Sequence, residues 1–141
     1  MAKLIQKEFN VTDGNIKFDI RVKNGFTLIN GNSCTGKTYL FNLLAKYGRL
    51  GLIDNLRCLN VSTGTAMLKD KGKIFVIDNA DIILHDSMCR KIARDDSNQY
   101  IIFGRDIRRY MATPDNIAEL VESDGLIKLR YTFKSTGEQY E

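Results

Sequence analysis

The chain has 141 residues, enough for one domain to bury a core of its own, so we expect a single domain over residues 1–141. Its 21 Lys and Arg residues against 17 Asp and Glu residues give a net charge of +4, too mild to select a partner class. Three separated cysteines and one histidine argue against a zinc site, and no apolar run reaches the roughly 20 residues that span a bilayer. We therefore expect a cytoplasmic protein with reduced thiols and no membrane insertion.

The N-terminal third predicts a hairpin, a buried strand and a helix. Apolar and polar side chains alternate over residues 16–23, which is typical of a half-buried strand, and Asp13-Gly14 predicts the hairpin turn before it. The stretch "GFTLING" (25–31) predicts a buried strand that leads into a glycine-bearing loop. Apolar residues at helical spacing over 40–47 predict a helix, with Gly48 as its stop.

The rest of the chain predicts further alternation of strands and helices. Buried strands are expected over 56–62, 73–78 and 100–104, and a helix over 81–94. Thr113 and Pro114 are good first residues of a helix that would run to about Ser123, and a strand at the edge of the sheet is expected over 127–134. This alternation predicts an α/β fold with a mostly parallel central sheet.

One motif carries specific chemistry. The run Gly31-Asn32-Ser33-Cys34-Thr35-Gly36-Lys37-Thr38 fits the phosphate-loop pattern G-x-x-x-x-G-K-[ST], between a predicted strand and a predicted helix. Glycines let successive backbone N–H groups turn toward phosphate oxygens, and the helix dipole adds positive potential. Lys37 would contact the β- and γ-phosphates and Thr38 would ligate Mg²⁺, and with Tyr39 these nine residues form the predicted nucleotide site.

With this motif the chain resembles a P-loop NTPase. The order "DG" hairpin, "LINGNSCTGKT", "IFVIDNAD" and "YIIFGRD" is similar to ATPases of the ABC and AAA+ branches. The resemblance implies a three-layer P-loop sandwich with an N-terminal antiparallel hairpin, ATP and Mg²⁺ as ligands, and Asp78 as the Walker B aspartate that holds magnesium through water. The chain departs from those branches because it has no "SGGQ"-type signature and no room for a helical arm or a lid domain.

The residues that would act on the γ-phosphate are less regular. Asn79 stands where the resembled ATPases carry a glutamate, and an amide hydrogen-bonds water but does not take its proton, so turnover should be slow. Asp81 is either a substitute base or only the N-cap of the next helix. In "GRDIRRY", Arg105 is the expected γ-phosphate sensor, with a solvated basic turn as the alternative.

These features predict an ATP-binding protein with slow, magnesium-dependent ATPase activity. It would act as a nucleotide switch or energy-coupling subunit, with a protein partner or as a homo-oligomer. Two alternatives stay open: a small-molecule kinase, and a nucleic-acid-associated accessory protein regulated by nucleotide. The sequence shows no cluster of basic and aromatic residues of the kind that stacks single strands.

Overall fold

A computed structural model describes residues 2–30 and 36–131, which form eight strands, three α-helices and three short 3-10 helices. The strands are β1 (Glu8–Thr12), β2 (Lys17–Arg21), β3 (Phe26–Asn30), β4 (Leu56–Leu59), β5 (Ile74–Ile77), β6 (Gln99–Phe103), β7 (Ile117–Ser123) and β8 (Leu126–Tyr131). The α-helices are α1 (Lys37–Arg49), α2 (Ala80–Ile83) and α3 (Asp86–Arg94). The 3-10 helices are Ala66–Lys69, Ile107–Tyr110 and Pro114–Asn116.

The strands form one sheet in the order β1-β2-β8-β7-β3-β6-β5-β4. The pairs β1–β2 and β7–β8 are antiparallel, and the other neighbours are parallel. Strands β5 and β6 are buried along their whole length, as expected for strands covered on both faces. The carboxyl ends of β3, β6 and β5 therefore meet at the same edge of the sheet.

The apolar core divides between the two faces of the sheet, because successive side chains of a strand point to opposite faces. On β5, Ile74 and Val76 join a cluster with the apolar side of α1 and the β1–β2 hairpin. Phe75 and Ile77 join a second cluster with α2 and α3. The sheet thus holds the beginning of α1 and the beginning of α2 at its carboxyl edge.

The predicted fold class is wrong. The chain does not form a three-layer α/β P-loop sandwich around a parallel sheet; it forms a curled, half-barrel-like mixed sheet of eight strands in which helix is the minor component. The antiparallel pairs β1–β2 and β7–β8 extend the sheet beyond its parallel strands. A segment expected to be a covering helix is itself a strand, so the sheet gains one strand and loses one expected helix.

That segment is residues 113–123. Thr113 does begin a turn, in which its N–H group donates to Asn116 Oδ1 at 3.1 Å, but only the short Pro114–Asn116 3-10 helix follows before β7. Strand β7 pairs with both β3 and β8, and the hairpin to β8 turns at Asp124 and Gly125, which have φ values of 53° and 79°. Two positive φ angles are the signature of a tight hairpin turn, so the Asp-Gly pair was the missed signal. Strand β8 lies between β2 and β7 rather than at the edge.

Other boundaries differ in smaller ways. Helix α1 continues through Gly48, where a Cβ would come within 3.2 Å of the Leu56 side chain, and Gly51, with φ of 74°, follows the end of the helix. The helix expected over 81–94 is broken into α2 and α3, and β4 ends before residue 62. The N-terminal hairpin and the strands predicted as β3, β5 and β6 are confirmed. Within the described ranges, every helix is too short or too polar to cross a membrane.

Candidate functional site

Three connections meet at the carboxyl edge of the sheet. Strand β3 leads through residues 31–35 into α1, β5 leads into α2, and β6 leads into the loop at Gly104. Between them lies a cavity of about 320 Å³, within the size range of small-molecule sites. Most of its lining consists of predicted site residues: Lys37, Thr38, Asp78, Asn79, Asp81 and Arg105.

The two predicted magnesium ligands, Thr38 and Asp78, lie side by side in the lining of this cavity. The Thr38 hydroxyl donates to Asp78 Oδ2 at 3.5 Å, although the residues are 40 positions apart. Asp78 is only 7% exposed, and its Oδ1 accepts the Asn79 N–H group at 3.0 Å. Mg²⁺ prefers oxygen ligands at about 2.0–2.1 Å and takes one or two from protein in phosphate sites. A hydroxyl beside a buried carboxylate fits that preference.

The positive charge of the site comes from two side chains and a helix end. Burial lowers the pKa of the Lys37 ammonium below its ordinary value, and the nearby Arg105 lowers it further, while Asp78 and Asp81 oppose the shift. Helix α1 begins directly after Gly36, which has φ of 85°, and carries no acidic residue in its first turn. A helix N-terminus and two cations that repel each other favour an anion between them.

Asn79 has a structural reason for its identity. Its backbone is left-handed, with φ of 52° and ψ of 42°, and its carbonyl accepts the N–H groups of Ile82 and Ile83 at the start of α2. Asparagine adopts this conformation more readily than most other non-glycine residues. The Asn79 side chain is exposed and lines the cavity. Asn79 therefore has two positions at once: that of the expected glutamate and that of the N-cap of α2.

Asp81 connects α2 to the loop after β6. Its Oδ2 accepts the backbone N–H group of Arg105 at 2.8 Å, and a Cβ on Gly104 would come within 3.0 Å of its Oδ1. The N-cap positions of α2 and α3 are Asn79 and His85, so Asp81 has neither cap position. Its carboxylate therefore fixes the backbone of Arg105, whose side chain lines the cavity.

Arg109 has a role that the sequence did not indicate. Its side chain is 17% exposed and spans α2 and α3: Nε donates to Asp86 Oδ1 at 3.2 Å, and the guanidinium also donates to the carbonyls of Asp81 and Leu84. It thereby holds the break between the two helices. Nothing in "GRDIRRY" distinguishes this half-buried arginine from the exposed Arg105, because the contacts of Arg109 are with residues more than 20 positions away.

The remaining predicted residues divide into two groups. Tyr39 is 39% exposed on α1, and its ring lies 6.0 Å from the ring of Phe18. Gly36 precedes α1, as described above. Among residues 2–30 and 36–131, no three His, Cys, Asp or Glu side chains are grouped as metal ligands. The rest of the predicted phosphate loop lies outside the described residues: Gly31, Asn32, Ser33, Cys34 and Thr35.

Comparisons of the chain with protein-family models, with curated proteins and with solved structures found no match. Any functional interpretation therefore depends on the residues and the geometry of the site itself.

Proposed function

We propose that this chain binds ATP together with Mg²⁺ at the carboxyl edge of its sheet, hydrolyses it slowly, and acts as a nucleotide switch or energy-coupling subunit. The observation that carries the proposal is the 3.5 Å approach of Thr38 Oγ1 to Asp78 Oδ2. The two residues are 40 positions apart in the chain, and the resemblance to P-loop NTPases implies magnesium for both. Their meeting at one cavity supports a shared ligand.

Each charged group has a role that suits a triphosphate. Lys37 is the first residue of α1 and would contact the β- and γ-phosphates. Arg105 lies across the cavity and would contact the γ-phosphate, with its backbone held by Asp81. Thr38 would ligate Mg²⁺ directly and Asp78 through a water, leaving phosphate oxygens and waters as the other ligands. Bound magnesium would neutralise charge on the phosphates.

Slow turnover follows from the groups that face the cavity. Asn79 can hydrogen-bond the attacking water but cannot accept its proton. The Asp81 carboxylate accepts the Arg105 N–H group and lies 4.0 Å from the Arg109 guanidinium, so its oxygens are engaged by the protein rather than by the attacking water. Loss of a general base typically costs about 10²- to 10⁴-fold in rate.

The test is ATP binding to the full chain with magnesium or with EDTA, measured by thermal shift and calorimetry, together with release of phosphate. We expect magnesium-dependent stabilisation and turnover well below ~1 s⁻¹. Lys37→Ala should abolish stabilisation by ATP without changing the melting temperature of the ligand-free protein. Lys46→Ala removes an exposed lysine from the same helix and should behave like the wild type. ATP that stabilises neither the wild type nor Lys46→Ala would refute the proposal.

A further inference from the structure

A second concave surface lies along α3, apart from the nucleotide site. It is a groove of about 710 Å³ between α3 and the segment that contains the Ala66–Lys69 3-10 helix. Its apolar lining includes Leu68, Met88 and Ile92. Arg90 belongs both to the groove and to a neighbouring surface that contains Asp81 and Arg105. The groove therefore adjoins the nucleotide site, but Lys37 and Thr38 are not part of its lining.

The groove is strongly basic. Five exposed cations line it, from both of its sides: Lys69, Lys71, Arg90, Lys91 and Arg94. None of the five forms a salt bridge within the described parts of the chain. By contrast, Asp70, which lies between Lys69 and Lys71 in the chain, is paired with Arg57 at 3.8 Å. Five unpaired like charges repel one another, and an anionic ligand would relieve that repulsion.

The single acidic side chain in the lining does not neutralise this charge. Asp95 accepts hydrogen bonds from Ser97, Asn98 and Tyr100, which all point it into the protein. Partial burial raises the pKa of the Asp95 carboxyl, but these hydrogen bonds outweigh burial and lower the pKa to about 2. Asp95 is thus occupied internally, and the five cations face solvent.

The shape of the groove selects among polyanions. Proteins read duplex DNA by inserting a convex helix or ribbon into its grooves, whereas single strands lie in concave, positively charged channels. We propose that this groove binds single-stranded nucleic acid through its phosphate backbone, without sequence preference. Tyr100 is 2% exposed and its hydroxyl is bonded to Asp95, so base stacking on an aromatic ring is not available there. Contacts to phosphates therefore dominate, and the apolar floor accepts base or sugar surfaces.

The experiment uses fluorescence anisotropy of a labelled single-stranded oligonucleotide of mixed sequence with the full chain, over a series of salt concentrations. Each phosphate contact to a single strand contributes about −0.7 to the slope of log association constant against log salt concentration. Five contacts therefore predict a slope no steeper than about −3.5. Arg90→Gln/Lys91→Gln/Arg94→Gln removes three of the five and keeps good helix formers on α3. It should reduce the slope by about 2 and the affinity roughly 100-fold near 0.1 M salt.

A matched control separates the groove from overall charge. Lys7→Gln/Lys17→Gln/Lys128→Gln also changes the net charge from +4 to +1, at exposed lysines that do not line the groove. It should bind like the wild type, and Lys37→Ala should also retain binding, because the nucleotide site is separate. Both triple variants should keep the wild-type melting temperature, since all six side chains are exposed.

Four results would overturn the inference. They are an equal loss in both triple variants, binding that does not depend on salt, tighter binding of the corresponding duplex, and equally tight binding of polyglutamate. The last result would assign the groove to an acidic protein segment instead.

Discussion

The pairing of Thr38 with Asp78 makes Asp78→Asn the most informative single substitution. Asparagine keeps an oxygen that can accept the Asn79 N–H group, which Asp78 Oδ1 now accepts at 3.0 Å, so the loop after β5 should hold its shape. The substitution removes the negative charge beside Thr38 and also the Oδ2 atom that accepts the Thr38 hydroxyl, which is exposed and can donate to water instead. Asp78 is only 7% exposed, and a buried charge costs more free energy than a buried neutral amide. The substitution should therefore not lower the stability of the ligand-free protein.

The expected loss is specific to magnesium. A carboxylate that holds the ion through water is an outer-shell ligand, whose removal typically costs about 10- to 100-fold in metal affinity. That corresponds to about 1.4–2.7 kcal/mol less stabilisation by Mg-ATP. For a chain of this length we expect the melting-temperature increase with Mg-ATP to shrink by roughly 5 to 10 °C. Binding of metal-free ATP should be unchanged or tighter, because Asp78 no longer repels the phosphates.

The assay is a pair of ATP titrations, one with saturating Mg²⁺ and one with EDTA, followed by thermal shift and calorimetry. Asp54→Asn serves as the control, since it removes one carboxylate from an exposed site away from the cavity. The control should match the wild type in both titrations. Equal losses for Asp78→Asn with and without magnesium would show that Asp78 supports the loop rather than the ion, and our reasoning about the site would be wrong.

Three further predictions concern hydrolysis and acid stability. Asn79→Glu should raise phosphate release, at a stability cost of about 1 kcal/mol because the backbone at this position is left-handed. Asn79→Asp should avoid most of that cost, since aspartate adopts this conformation more readily. Unchanged phosphate release in both variants would place the general base elsewhere. Asp81→Asn retains an acceptor for the Arg105 N–H group and should change turnover less than Asp81→Ala, and a large loss in both would make Asp81 the base. The Asp95 carboxyl, whose pKa falls from an ordinary 3.8 to about 2, stabilises the fold above that ordinary value and loses this effect as pH falls through 2. With solvent screening, the Asp95 carboxylate contributes about 1–2 kcal/mol to the free energy of unfolding. The stability of Asp95→Asn should therefore depend less on pH between about 4 and 2 than that of the wild type, and an unchanged pH dependence would contradict the prediction.

Local patterns in the sequence determined the elements around the site. A turn signal before an alternating run predicted the β1–β2 hairpin, and continuous apolar runs predicted β5 and β6. The phosphate-loop pattern and the resemblance implied one site for Lys37, Thr38 and Asp78, and all three line the same cavity, although their roles stay predictions. The predictions of the hairpin and the strands succeeded because they depend on periodicity, which neighbouring residues decide.

The strand at Ile117–Ser123 was decided by tertiary structure. Ile117, Leu120 and Val121 have helical spacing, and Thr113-Pro114 is a good helix start, so local signals favoured a helix. The segment instead completes hydrogen bonds with β3 on one side and β8 on the other. Sheet pairing with distant strands overrode local preference, and the same pairing changed the fold class from the predicted sandwich to a curled mixed sheet.

The division of labour among charged side chains was also decided by tertiary structure. Arg105 and Arg109 are four residues apart, yet one lines the cavity and the other is enclosed by α2 and α3. The basic groove combines residues 65–71 with α3 and Asp95, segments that have no common pattern in the sequence. A sequence records which residues carry charge, but the ion pairs that neutralise some charges and leave others exposed depend on contacts between distant segments. Only the folded chain therefore distinguishes a structural cation from one that faces a ligand.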